Sequence, residues 1–180
     1  MDDTGEVLGK PSDRSVETFT NTAWALKSHP DLTAKAAKGD KDAASSLLLA
    51  DLYLSKVKFE EAKTRLEALK DLPADRKKII EVAMLDLEIK SIFENAGTGE
   101  DAREIVGTKL LAMKKAGRIP TSGMAQRFWG TLMGHAENTK NADLFEEGAK
   151  HLKKILGDNP RFERLWKRVD ATLKKLRENG

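Results

Sequence analysis

Apolar residues recur three and four positions apart along almost the whole chain, the spacing that puts them on one side of an α-helix. Val16, Phe19, Ala23 and Leu26 form the first such stripe, which Ser15 is placed to cap and which ends near residue 28, with Trp24 beside it. Pro30 and Asp31 then predict a short Ala-rich helix that Gly39 stops. Asp40 caps a segment over about 41–55 that is apolar round most of its circumference, as in a helix packed on two sides. Phe59, Ala62, Leu66 and Leu69 share one face of the next helix, over 59–71, and Pro73 breaks it. Further helices are expected over 76–94, from a start at Glu100 or Asp101 to Gly117, over 122–136 and over 142–156. The last opens at Pro160, where Phe162, Leu165, Trp166, Val169, Leu173 and Leu176 make a single stripe with a charged opposite face. No Val/Ile/Thr alternation of period two survives over five residues, so no sheet is expected. The expected fold is all-α, with eight or nine helices joined by short turns and therefore paired antiparallel.

One stretch returns. FEEAKTRLEALKDLP, from Phe59 to Pro73, comes back eighty-six positions later as FEEGAKHLKKILGDNP, from Phe145 to Pro160. Each copy has Phe-Glu-Glu followed by a small residue, a Leu seven positions after the Phe, and another aliphatic three further on. Residues 43–76 resemble a tetratricopeptide repeat, a helix pair of roughly 34 residues. Leu49 and Ala50 stand at that family's Leu/Gly pair, and Tyr53 takes its Tyr. Phe59 takes the aromatic before the second helix, Ala62 the small contact and Leu66 the large residue after it. In the second copy Gly148 is the small contact and Pro160 the closing Pro. Ser46 stands where the family prefers Trp. The resemblance implies a short α-solenoid of stacked helix pairs over 15–180, after a tail at 1–14, with the last helix as its cap.

It also implies a protein or peptide partner held in a concave groove lined by the first helix of each pair. Leu47, Asp51 and Leu54 of one pair and Lys78, Glu81 and Leu85 of the next would face it. Asp51 stands where the family's carboxylate clamp has Asn, which argues against a ligand gripped by its acidic C-terminus.

Composition narrows the chemistry without naming a reaction. Charged residues make up 34% and aromatic ones 6%, which suits polar helices with narrow apolar stripes. The absence of Cys excludes disulfides and thiolate nucleophiles and leaves the compartment open. His29, His135 and His151 show no metal spacing, and no phosphate-loop or nucleophile-elbow motif occurs. No catalytic residue, metal or cofactor is therefore expected, and the chain reads as a non-enzymatic binding scaffold. The N-terminus has neither a basic start nor an apolar run, so no signal peptide is expected there, and no stretch is long and apolar enough to span a membrane. The net charge of +3 is small, but residues 150–180 carry ten Lys/Arg against four Asp/Glu. Arg161, Arg164, Lys167, Arg168 and Lys175 form an alternative face for nucleic acid or another anionic surface. It lacks an aromatic for base stacking, and a solvated helix face is the simpler account of it.

Overall fold

A computed structural model describes residues 16–99 and 101–178. The tail expected over 1–14 and the Ser15 cap lie outside them. Among the described residues the chain is all helix and turn, with no strand. Eight α-helices follow in order: α1 (Val16–Ala36), α2 (Lys41–Tyr53), α3 (Phe59–Ala68), α4 (Ala74–Ala96), α5 (Ala102–Lys115), α6 (Ala125–Asn138), α7 (Ala142–Leu156) and α8 (Glu163–Glu178). A single 3₁₀ turn, Pro160–Phe162, precedes α8.

Local chemistry accounts for most of the boundaries. The Asp40 carboxylate accepts a hydrogen bond from the Ala43 N–H at 3.0 Å and caps α2. The Asn141 side-chain oxygen does the same for α7 from the Leu144 N–H, at 3.0 Å. Gly117 closes α5 at φ +73°, where the Arg118 N–H reaches back to the Met113 carbonyl. A side chain there would meet the left-handed penalty that glycine avoids.

The chain departs from the pattern at Pro30. Two helices are expected around it, yet α1 runs through it without a break. A proline inside a helix loses a backbone hydrogen bond and crowds the carbonyl four residues back. Packing on both sides of the defect outweighs that cost: Ala25 is fully buried against Ala50 and Leu54 of α2, with Leu26 and Leu32 against the same cluster. Pro160 also differs from expectation, since it starts the 3₁₀ turn and α8 itself begins at Glu163.

The packing divides into two compact units between Ser91 and Ile92, inside α4. In the first, α2 is the central element. One side of it packs on α1; the other buries Leu48, Leu49 and Leu52 with Val57, Ala62 of α3, and Ile80 and Met84 of α4. The all-round apolar reading of α2 thus corresponds to a helix covered on two sides. In the second unit α6 packs on both α5 and α7, and α7 packs on α8. Phe128, Trp129 and Leu132 of α6 are essentially inaccessible to solvent.

Two glycines set the helix spacing in that second unit. A methyl group on Gly107 of α5 would fall 2.6 Å from the His135 ring of α6. One on Gly148 of α7 would fall 2.5 Å from Met133 Cγ and 3.4 Å from the Trp129 carbonyl oxygen. Gly148, and Ala62 in the first unit, are the two small positions of the repeated FEE stretch, and both are buried.

Candidate functional site

The six groove residues divide sharply. Leu54 lies in the core between α1 and α2, 3% exposed, and cannot line an open groove because α1 covers that side of α2. Asp51, one turn earlier, is also buried. Leu47 is half-buried. On α4, Lys78 and Glu81 are exposed and Leu85 is partly so, and their spacing of three and seven puts them on one face. The face of the predicted groove open to solvent is therefore on α4.

Asp51 instead anchors a polar network. His29 Nε2 of α1 lies 2.8 Å from its Oδ1, and Arg65 of α3 donates to its Oδ2 at 2.8 Å. Thr33 Oγ1 donates to the His29 carbonyl at 2.8 Å and lies 3.5 Å from His29 Nδ1. A buried carboxylate needs such partners, since an unpaired one would be costly to desolvate. The network ties three helices together through one side chain. Nothing in the sequence announced it, because His29 and Asp51 are twenty-two positions apart and match no motif.

His151, which shows no metal spacing in the sequence, lays its ring flat on buried Trp129, with ring centres 3.9 Å apart and planes 4° from parallel. Nearby, Lys114 of α5 and Glu147 of α7 pair at 2.6 Å. Among the described residues no group of three or more His, Asp or Glu could hold a metal ion.

The five cations of the alternative face are all exposed. Their surroundings separate them. Lys167 pairs with Glu163 at 2.7 Å, one turn back on the same helix, and Arg161 lies over the Phe162 ring at 4.7 Å. At 100° per residue the three acids of α8, Glu163, Asp170 and Glu178, fall on one side with Lys167 and Lys174. Arg164, Arg168 and Lys175 fall together on the adjacent flank, where α8 carries no acid.

The far end of α8 is held to α7 instead. Arg177 reaches Glu146 at 2.7 Å, and Lys150 reaches the same carboxylate at 2.9 Å. The hydrogen bond and charge of Lys150, with the charge of Arg177, hold the Glu146 carboxyl below its ordinary value. A shallow open depression runs beside this contact, lined by Asp170, Leu173, Lys174, Arg177 and Glu178. No helix is long and apolar enough to cross a membrane among the described residues. No protein-family model, curated protein or solved structure matches the chain.

Proposed function

We propose that this chain is a non-enzymatic scaffold of tetratricopeptide-like type that binds a protein or peptide. One observation carries the reading. Among the described residues the closest helix-to-helix backbone approaches run between chain neighbours, α1 on α2 and α2 on α3, then α5 on α6, α6 on α7 and α7 on α8, while side chains also link α2 to α4 through Ile80 and Met84 and α5 to α7 through Lys114 and Glu147. A helix bundle of similar length closes on itself through contacts between distant helices, whereas a solenoid stacks each helix on the one before it. The buried small residues Ala62 and Gly148 lend further support, since they fall where helix pairs of that family approach closely. In this reading the helices pair antiparallel within each stack, and α8 is the amphipathic cap.

The partner surface follows from what the packing leaves open. Lys78 and Glu81 are exposed on α4, with the partly exposed Leu85 one turn further along the same row. A peptide with mixed charge and one aliphatic anchor fits such a row. The test is affinity capture from source lysate by the full chain, by a Lys78→Glu/Glu81→Lys variant and by Leu85→Asp, each with and without nuclease. A reproducible protein set that resists nuclease and is lost with the variants is the expected result. A set that is indifferent to both variants, or that disappears with nuclease, overturns the proposal.

A further inference from the structure

The corner where α7 turns into α8 concentrates charge. Residues 150–168 hold seven Lys/Arg against two Asp/Glu. Both acids are matched locally, Asp158 with Lys153 at 3.9 Å and Glu163 with Lys167 at 2.7 Å. Lys154, Arg164 and Arg168 are exposed and have no carboxylate partner among the described residues, and Arg161 rests on an aromatic ring rather than on an acid. Fold stability does not account for the arginines. Arg161, in the turn before α8, and Arg164, in its first turn, lie at the positive end of the helix dipole, where a cation is disfavoured.

The same corner exposes two large aliphatic side chains, one at each end of the turn. Ile155, in the last turn of α7, is 44% exposed, and Leu165, in the first turn of α8, is 38% exposed. Single exposed aliphatics are ordinary. Two of them at the ends of one turn, with four cations close by in the chain that are not paired to an acid, form a specific combination. Cations alone would suit any polyanion, and a nucleic-acid backbone has no use for the aliphatics. A bilayer interface uses both: anionic headgroups meet the cations while the aliphatics enter the acyl boundary.

We propose that the α7–α8 corner docks on an anionic lipid surface. Arg161, Arg164, Arg168 and Lys154 contact headgroup phosphates and carboxylates, and Ile155 and Leu165 insert shallowly beside them. Its residues are not those of the α4 row, so either assignment can fail without the other.

The experiment is flotation of the full chain with phosphatidylcholine vesicles, with and without phosphatidylserine. Binding is expected only with the anionic lipid. Arg164→Gln/Arg168→Gln should weaken it about thirtyfold, at roughly fivefold for each cation near an anionic surface. Ile155→Ser/Leu165→Ser should also weaken it while leaving retention on heparin unchanged. All four positions are exposed, and an unchanged thermal melt by circular dichroism checks that both variants fold. Equal recovery on neutral and anionic vesicles overturns the proposal, as does undiminished binding by either variant. So does binding of a nucleic-acid duplex, lost with the arginine variant, by a chain that leaves anionic vesicles empty.

Discussion

Four glycines lie inside helices of the second unit, and their surroundings predict opposite responses to the same change. Alanine is favoured over glycine inside a helix by about 1 kcal/mol. Gly130 and Gly134 of α6 are exposed and have nothing within 4 Å of an added methyl. Gly130→Ala and Gly134→Ala should therefore each raise stability by about 0.5–1 kcal/mol. Gly107 and Gly148 gain the same helix preference but meet a neighbouring helix. Overpacking costs about 1–3 kcal/mol, and the His135 Cβ facing Gly107 is 2.7 Å from the added atom and fixed to its own backbone. Gly107→Ala should destabilise by about 1–2 kcal/mol net. Gly148→Ala should cost less, because its closest neighbour is Met133 Cγ, on a side chain that can bend. Urea midpoints for the four variants check the order; a Gly107→Ala protein as stable as Gly130→Ala would show that α5 and α6 do not approach this closely. The small role of Gly148 was legible in the sequence, because a second copy of the FEE stretch showed Ala at the same place. That of Gly107 was not, since no second copy of α5 exists to compare. The Asp51 network was equally hidden: an Asp in the Leu-rich half of a helix reads as a groove position until a histidine from another helix is brought against it.

Among the elements, α7 and α8 are joined by a contact that responds to pH. Glu146 is partly exposed, and Lys150 and Arg177 hold its carboxyl below its ordinary value of 4.5. A carboxyl whose value is lowered on folding binds its proton less readily in the folded state than in the unfolded one. Its contribution to stability is therefore complete above about pH 4.5 and is lost as the pH falls through the lowered folded value. Glu146→Gln should lower the melting temperature modestly at neutral pH, and the gap to the wild-type protein should close in acid. High salt should narrow it as well, because an exposed pair is screened. Melts at neutral and acid pH, at low and high salt, decide it; a gap that persists in acid would mean that the contact is not electrostatic. Most helix boundaries were readable because caps and left-handed stops are local: Asp40, Gly39 and Gly117 mark their own positions. Pro30 misled for the reverse reason. Its cost is local, but the burial of Ala25, Leu26 and Leu32 that overcomes it depends on α2, which no local rule can see.

At the scale of the whole molecule, the division inside α4 leaves no mark in the sequence. Ser91 and Ile92 sit in an unbroken helical pattern with no Pro or Gly nearby, and only the destinations of the flanking side chains separate the two units. This arrangement has a consequence for cooperativity. Where contacts run between neighbours, a defect is felt first by the elements that touch it, and stability is a sum of local terms. Leu48 of α2 and Leu132 of α6 are both fully buried, one in each unit. Truncating either to alanine removes similar atoms and should cost about 2–5 kcal/mol where it is made. Leu132→Ala should speed amide hydrogen exchange through α5, α6 and α7 while α1, α2 and α3 keep most of their protection, and Leu48→Ala should do the reverse. Uniform acceleration of all amides by both variants would show that the chain opens as one cooperative body, and the neighbour-to-neighbour contacts would then not govern its unfolding. Selective acceleration would place the boundary by measurement, because the first α4 amides protected in one variant and exposed in the other would bracket Ser91.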